Sequence, residues 1–166
     1  MTYRVALVCL GNICRSPTAD VVLTRMLAEA GVTGVEVGSC GTGGWHAGEP
    51  MDRRSAAALL AAGYDPDRHR ARTFGADWFD HDLILVMDAD NRRDVLASLP
   101  ADRADRVRMF RSLDPAASGA DPVSGAGPDV PDPWYGGAAG FAEVLAIVER
   151  TCAALVAELR IRTAAG

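Results

Sequence analysis

Residues 9–17 read Cys-Leu-Gly-Asn-Ile-Cys-Arg-Ser-Pro. In one short stretch they offer a thiol, two residue types that favour turns, a guanidinium and a hydroxyl. A thiol attacks as its thiolate, and a turn at a helix N-terminus favours that anion through unpaired amides and the positive end of the helix dipole. The same field suits a phosphate-like dianion, and the planar fork of Arg15 matches two of its oxygens as no lysine does. Gly11 and Asn12 are the types that tolerate the positive φ needed to turn successive amides inward. The Ser16 hydroxyl is placed to donate to the Cys9 sulfur, steadying it as an anion and as a leaving group. Alone, Cys9 would read as a buried strand-end residue; with Arg15, Ser16 and a helix start at Pro17 close behind, it reads as a nucleophile. Cys14 has two readings, a small loop residue or a redox partner that forms a reversible disulfide with Cys9.

Such a loop needs a strand before it and a helix after it. Val5 to Cys9 is a short apolar run, and 17–30 has an amphipathic helical pattern with Ser16 as N-cap, Pro17 at its first position and Gly31 beyond its end. Further strands are expected over 35–39, 83–87 and 107–110, with helices over 52–62, 91–99 and 141–162. Strands alternating with helices specify an α/β fold with a parallel sheet covered on both faces. In that architecture ligands bind at the C-terminal ends of strands, where residues 9–17 fall. Residues 111–139 are rich in Gly, Pro, Asp and Ser, and a loop of that length is functional or disordered.

Composition narrows the setting. A chain of 166 residues, 49% apolar, fits a single domain over 1–166 that needs neither disulfides nor a metal to fold. Cys9, Cys14, Cys40 and Cys152 make neither paired zinc knuckles nor a disulfide framework, which favours the reducing cytoplasm. The apolar runs are too short for a membrane span, and no signal peptide is read. A net charge of −5 without a dense basic run speaks against nucleic-acid binding. All 17 basic residues are arginine, in keeping with codon bias in an Ala- and Arg-rich genome.

The run Val8 to Pro17, V-C-L-G-N-I-C-R-S-P, resembles the signature of the low-molecular-weight protein tyrosine phosphatases. A second motif, Asp132-Pro133-Trp134-Tyr135-Gly136, is similar to that family's Asp-Pro-aromatic-Tyr loop; Ser39, Trp45, His69, Met87-Asp88 and Asn91 also match family positions. The resemblance implies a four-stranded parallel sheet in the order 2-1-3-4. It also implies hydrolysis of phosphotyrosine in proteins through a phosphocysteine, with inorganic phosphate as product and no cofactor or metal. Cys9 is then the nucleophile, Arg15 the phosphate ligand and Asp132 the general acid and later base. Without the resemblance Asp132 is an ordinary Asp-Pro turn initiator. Leu10, Gly11, Asn12, Ile13, Cys14 and Ser16 would complete the substrate loop, with Leu10 and Ile13 on its floor. Trp45, Trp134 and Tyr135 would wall the cleft around a phenyl ring. Tryptophan at 134, where a second tyrosine is commoner, removes that hydroxyl as a phosphorylation site. His69 reads as a structural partner of Asn12 or Ser39, and His46 and His81 as solvated or capping residues.

Three other readings use the same anion loop. Thiol-dependent arsenate reductases need a later pair of redox cysteines, which Cys40 and Cys152 do not form, and they have no use for the Asp132 loop. Protein-arginine phosphatases carry threonine where this chain has Ile13, whose apolar side chain suits an aryl phosphate. A non-catalytic phosphate-binding module would lack Cys9 or Asp132.

Overall fold

A computed structural model describes residues 1–166. Four strands, β1 (Tyr3–Cys9), β2 (Val35–Gly41), β3 (Leu83–Val86) and β4 (Val107–Met109), alternate with α1 (Arg15–Glu29), α2 (Arg53–Ala61), α3 (Ala89–Ser98) and α4 (Ala138–Ala164). Short 3₁₀ turns at Ala76–Trp78, Ala101–Arg106 and Phe110–Leu113 complete the order. The strands form one parallel sheet in the order β2-β1-β3-β4. After β2 the chain crosses back over β1 to lay down β3, so strand order reverses at β1. The loop after Cys9 opens at that reversal.

Val5, Ala6, Leu7 and Val8 are fully buried because β1 lies inside the sheet and is covered on both faces. Alternate side chains divide between two cores. Val5, Leu7 and Cys9 join Val22, Leu23, Val148, Cys152 and Leu155 under α1 and α4; Ala6 and Val8 meet Trp78, Val95 and Leu99 on the other face. Burying β1 from both sides fixes the height and direction at which Cys9 leaves the sheet.

Local chemistry sets the helix ends. Asp52 caps α2, its carboxylate accepting the amides of Arg54 at 2.8 Å and Ser55 at 3.4 Å. Asp88 caps α3 in a reciprocal box with Asn91. Gly31 follows the end of α1 with φ 66°, the left-handed position that glycine takes most cheaply. The start of α1 differs from expectation. The helix begins at Arg15, with Cys14 as N-cap and Ser16 inside the first turn. Ser16 does not cap because its hydroxyl is engaged at Cys9 and Asn12.

The long segment after β4 is ordered by specific contacts. Asp114, its side chain fully buried, accepts Arg111 Nε at 3.0 Å and Arg150 Nε at 2.7 Å, tying the segment to α4. The Met109 amide donates to the Gly125 carbonyl and the Val130 amide to the Met87 carbonyl, which returns the chain to the C-terminal edge of the sheet. His81 is buried, not solvated, and stacks on Trp78 with ring centroids 4.9 Å apart. No helix is long and apolar enough to cross a membrane.

Candidate active site

Between β1 and α1 the chain folds around the Cys9 sulfur. The Asn12 amide donates to Cys9 Sγ at 3.3 Å, and Ser16 Oγ lies 2.9 Å from the same sulfur. The Asn12 side chain sets which way the Ser16 proton points. Its Oδ1 accepts the Arg72 amide at 2.9 Å, so its Nδ2 must be the end that donates, to Ser16 Oγ at 2.8 Å and Ser39 Oγ at 3.0 Å. Ser16 Oγ accepts from Asn12 and keeps one proton of its own. That proton has Cys9 Sγ at 2.9 Å or the Cys40 carbonyl at 3.4 Å as acceptor, and the nearer is the sulfur. The loop therefore offers the Cys9 sulfur the Asn12 amide and, when the sulfur is ionised, the Ser16 hydroxyl as donors.

Asn12 carries the cost of this turn. It is wholly buried, with φ 57°, the only non-glycine residue with a positive φ. Its carbonyl accepts from His69 Nε2 at 2.6 Å, which fixes the imidazole tautomer with the proton on Nε2. Burial pulls the His69 pKa below its ordinary value, and this favours the neutral ring. Gly11 has no positive φ; its lack of a side chain instead admits His46, whose Cδ2 would lie 3.2 Å from a Cβ there. Gly41 at the end of β2 is needed for close approach, because a Cβ there would sit 2.5 Å from the Leu10 carbonyl oxygen.

Arg15 lies beneath the loop with its side chain 3% exposed. Nη1 donates to Asp88 Oδ2 at 2.7 Å and to the Val130 carbonyl at 3.1 Å, while Nη2 lies 3.5 Å from Asp132 Oδ2. Burial opposes the charge, but Cys9, Asp88 and Asp132 outweigh it and hold the guanidinium protonated. Asp88 serves two elements at once, since Oδ2 holds Arg15 while Oδ1 accepts the Asn91 amide that starts α3.

The opposite wall comes from the segment before α4. Asp132 accepts the Trp134 amide at 3.1 Å in a local turn and remains 45% exposed. Arg54 of α2 holds that turn from outside. Its Nη1 donates to the Trp134 carbonyl at 3.0 Å, and its guanidinium lies 5.4 Å from the Trp134 ring and 4.6 Å from the Phe141 ring. Between the walls lies a cleft of about 240 Å³, with the Cys9 loop at its base and Asp132, Trp45, His46, Trp134 and Tyr135 around it. Trp45 and Tyr135 are largely exposed, and Trp134 stands 5.8 Å from the His46 ring.

This geometry can hold a tetrahedral oxyanion over a thiolate with a carboxyl group across from it. Residues 4–164 match the family described as low molecular weight phosphotyrosine protein phosphatase. The chain belongs to that family. Among its relatives, the low molecular weight protein-tyrosine-phosphatase of Streptomyces coelicolor is 47% identical over 163 residues, covering 96% of this chain and 95% of the relative. Low molecular weight protein-tyrosine phosphatase A of Mycobacterium tuberculosis is 42% identical over 147 residues, covering 88% and 85%. The solved structure of a protein tyrosine phosphatase from Entamoeba histolytica superposes with a TM-score of 0.87 at 29% identity, covering 98% of this chain and 99% of that one. The four-stranded order 2-1-3-4 expected from the family likeness is the order found.

Of the residues singled out in the sequence of this phosphatase family member, Cys9, Leu10, Gly11, Ile13, Cys14, Arg15, Trp45, Asp132, Trp134 and Tyr135 line the cleft. Asn12 and Ser16 lie behind it, in hydrogen-bond contact with Cys9. Ile13 also packs with Cys14, Ala71 and Phe141, so the loop floor is continuous with a small core cluster. Burial pushes the Cys14 thiol up to about 12, leaving it protonated at neutral pH. Sequence reasoning missed the dual role of Asp88, the Arg54 tether and the position of His46 in the cleft wall. His46 carried a signal, its nearness to Trp45 in a Gly-rich loop; Arg54 carried none.

Proposed function

We propose that this chain hydrolyses phosphotyrosine in proteins through a phosphocysteine intermediate, with Cys9 as nucleophile, Arg15 as phosphate ligand and Asp132 as general acid and then base. The observation that carries the reading is the pair of hydrogen bonds aimed at Cys9 Sγ, from Ser16 at 2.9 Å and Asn12 at 3.3 Å, in the loop that also anchors Arg15. Two donors on one sulfur favour the thiolate, which is the attacking species.

The Cys9 thiolate attacks phosphorus in line, forming the S–P bond as the P–O bond to the phenol breaks. Asp132 gives its proton to the departing phenolate oxygen. Amides of the 9–15 loop and Arg15 neutralise the equatorial oxygens throughout, which is electrostatic stabilisation by groups already in place. Water then attacks the phosphocysteine, giving its proton to Asp132; the S–P bond breaks, inorganic phosphate leaves and the thiolate returns. The Ser16 proton assists that departure. Trp45, Trp134 and Tyr135 flank a flat ring, and the depth to the loop favours a long aryl stem over the short stem of phosphoserine. The absence of paired knuckle or framework cysteines supports work in the reducing cytoplasm.

Cys9→Ser is expected to abolish turnover of phosphotyrosine peptides and p-nitrophenyl phosphate with the fold retained by circular dichroism. Asp132→Ala is expected to lose roughly 10²- to 10⁴-fold on phosphotyrosine and much less on p-nitrophenyl phosphate, whose leaving group needs little protonation. Substantial turnover by purified Cys9→Ser removes Cys9 from the mechanism. Equal losses on both substrates in Asp132→Ala remove Asp132 as the acid. A wild-type preference for phosphoarginine or phosphoserine peptides overturns the substrate class.

A further inference from the structure

A second and larger concavity, about 680 Å³, runs between the outer face of α1 and residues 64–72. Four arginines line it, Arg25, Arg68, Arg70 and Arg72, against two carboxylates, Asp20 and Asp65. Arg25 is committed to Glu29 at 2.7 Å. Arg70 donates only to the carbonyls of Asp67 and His69, and Arg72 lies over the Trp78 ring at 4.8 Å. Arg68, Arg70 and Arg72 thus share one five-residue stretch with no carboxylate in a salt bridge to any of them, in a chain where acids outnumber bases 22 to 17. Asp65 and Asp67 stand just upstream, so residues 65–72 carry three arginines against two aspartates, net +1, but the three guanidinia have no salt-bridge partner and are free to take carboxylates from a partner chain.

The stretch also abuts the cleft. The Ala71 amide donates to the Glu49 carbonyl and the Gly48 amide to the Ala71 carbonyl, both at 2.8 Å, while the Glu49 amide closes a turn onto the His46 carbonyl. His46 belongs to the cleft wall, so one turn separates the wall from the arginines. From the other side, His69 reaches the Asn12 carbonyl of the anion loop at 2.6 Å. The three arginines are exposed residues, Arg72 with its guanidinium resting on the Trp78 ring. They form no rigid nest for a single dianion; they suit carboxylates at adaptable spacing along an extended chain.

We propose that this groove receives acidic residues flanking the phosphotyrosine of the protein substrate, and so selects among phosphotyrosine sites; the proposal rests on the phosphotyrosine reading above. An extended peptide spans about 3.3–3.6 Å per residue, so carboxylates roughly three to six positions from the phosphotyrosine reach about 10–20 Å past the cleft. Exposed ion pairs act mainly on encounter and KM, and are screened by salt.

The test pairs phosphotyrosine peptides that differ only in Asp/Glu against Gln/Ser at flanking positions, on either side, with p-nitrophenyl phosphate alongside. Wild-type kcat/KM is expected to favour the acidic peptide by about five- to ten-fold at low salt, as two or three exposed pairs supply, through KM and not kcat. In 0.5 M NaCl, roughly a 4 Å Debye length, the preference is expected to vanish. The Arg68→Ala/Arg70→Ala variant is expected to lose the preference while retaining full rates on the neutral peptide and p-nitrophenyl phosphate. Those two rates also report that the variant is folded. Equal wild-type rates on acidic and neutral peptides, or a preference that survives in the variant, overturns the proposal and leaves the phosphotyrosine reading intact. Failure of wild type on both peptides with p-nitrophenyl phosphate still cleaved overturns the reading and the proposal with it.

Discussion

The loop that carries Cys9 and the loop that carries Asp132 face each other across one cleft but are held in opposite ways. The first sits at the end of a strand whose last five residues are all buried, and its polar groups are matched internally, with Asn12 alone bonded to Cys9, Ser16, Ser39, His69 and Arg72. The second rests on a short local turn, the Val130 amide and single hydrogen bonds to its carbonyls from Arg15 and Arg54, with Tyr135 almost fully exposed. The difference follows from the chemistry asked of each. An anion loop works because its dipoles are fixed before the charge develops, so any freedom in it is lost stabilisation. Under the proposed mechanism, an acid that serves two successive steps and admits a bulky protein substrate tolerates a looser mount.

If the first loop depends on fixed geometry, conserving its charge is not enough. Arg15→Lys keeps a cation but cannot reach Asp88, the Val130 carbonyl and the bound anion at once, so kcat/KM is expected to fall by roughly 10²- to 10³-fold on every aryl phosphate. Steady-state kinetics with p-nitrophenyl phosphate read this directly. A loss under ten-fold would mean that backbone amides alone hold the anion. Asn12→Ala tests the same point without touching charge. It deletes the bonds to Ser16 and Ser39, strands the Arg72 amide, and places an alanine at φ 57°. The buried bonds and the left-handed backbone together are expected to cost about 2–4 kcal/mol of stability in urea unfolding. Turnover is expected to fall about ten-fold as Ser16 is freed to turn its proton toward the Cys40 carbonyl. Unchanged kcat with lowered stability would make the Asn12 network structural only.

What the sequence disclosed divides along the same line. The Cys9 loop was readable because its parts are consecutive and its setting is a strand followed by a helix, both visible in local patterns. The strand and helix order followed from the same periodicities, though β1 and β2 each extend two residues beyond their apolar runs. The other wall was readable only through a family likeness, because its supports are distant in the chain. Arg15 meets Asp88 at 73 residues' separation and Val130 at 115; Arg54 meets Trp134 at 80. No propensity encodes such pairs. Ser16 misled for a related reason, since serine before Pro17 has the composition of a cap, and only the fold shows its hydroxyl already committed to Cys9.

The finest test of the comparison is Arg54, which touches the second loop and none of the residues assigned to bond making. Its hydrogen bond to the Trp134 carbonyl and its stacking on Trp134 and Phe141 are half-exposed contacts, together worth about 1 kcal/mol. Loosening the turn by that amount displaces Asp132 part of the time. Arg54→Ala is therefore expected to lose about five-fold in kcat on phosphotyrosine peptides and to leave p-nitrophenyl phosphate nearly untouched. Arg54 also pairs with Asp52 at 3.2 Å, so a fault in α2 would appear as well in a lowered Tm. A double-mutant cycle separates the two causes. In an Asp132→Ala background the Arg54→Ala loss should disappear if Arg54 acts by positioning the acid, since no acid remains to be positioned. A five-fold loss that persists in that background would place Arg54 on the substrate instead, and the second loop would then be held by its own turn and the sheet edge alone.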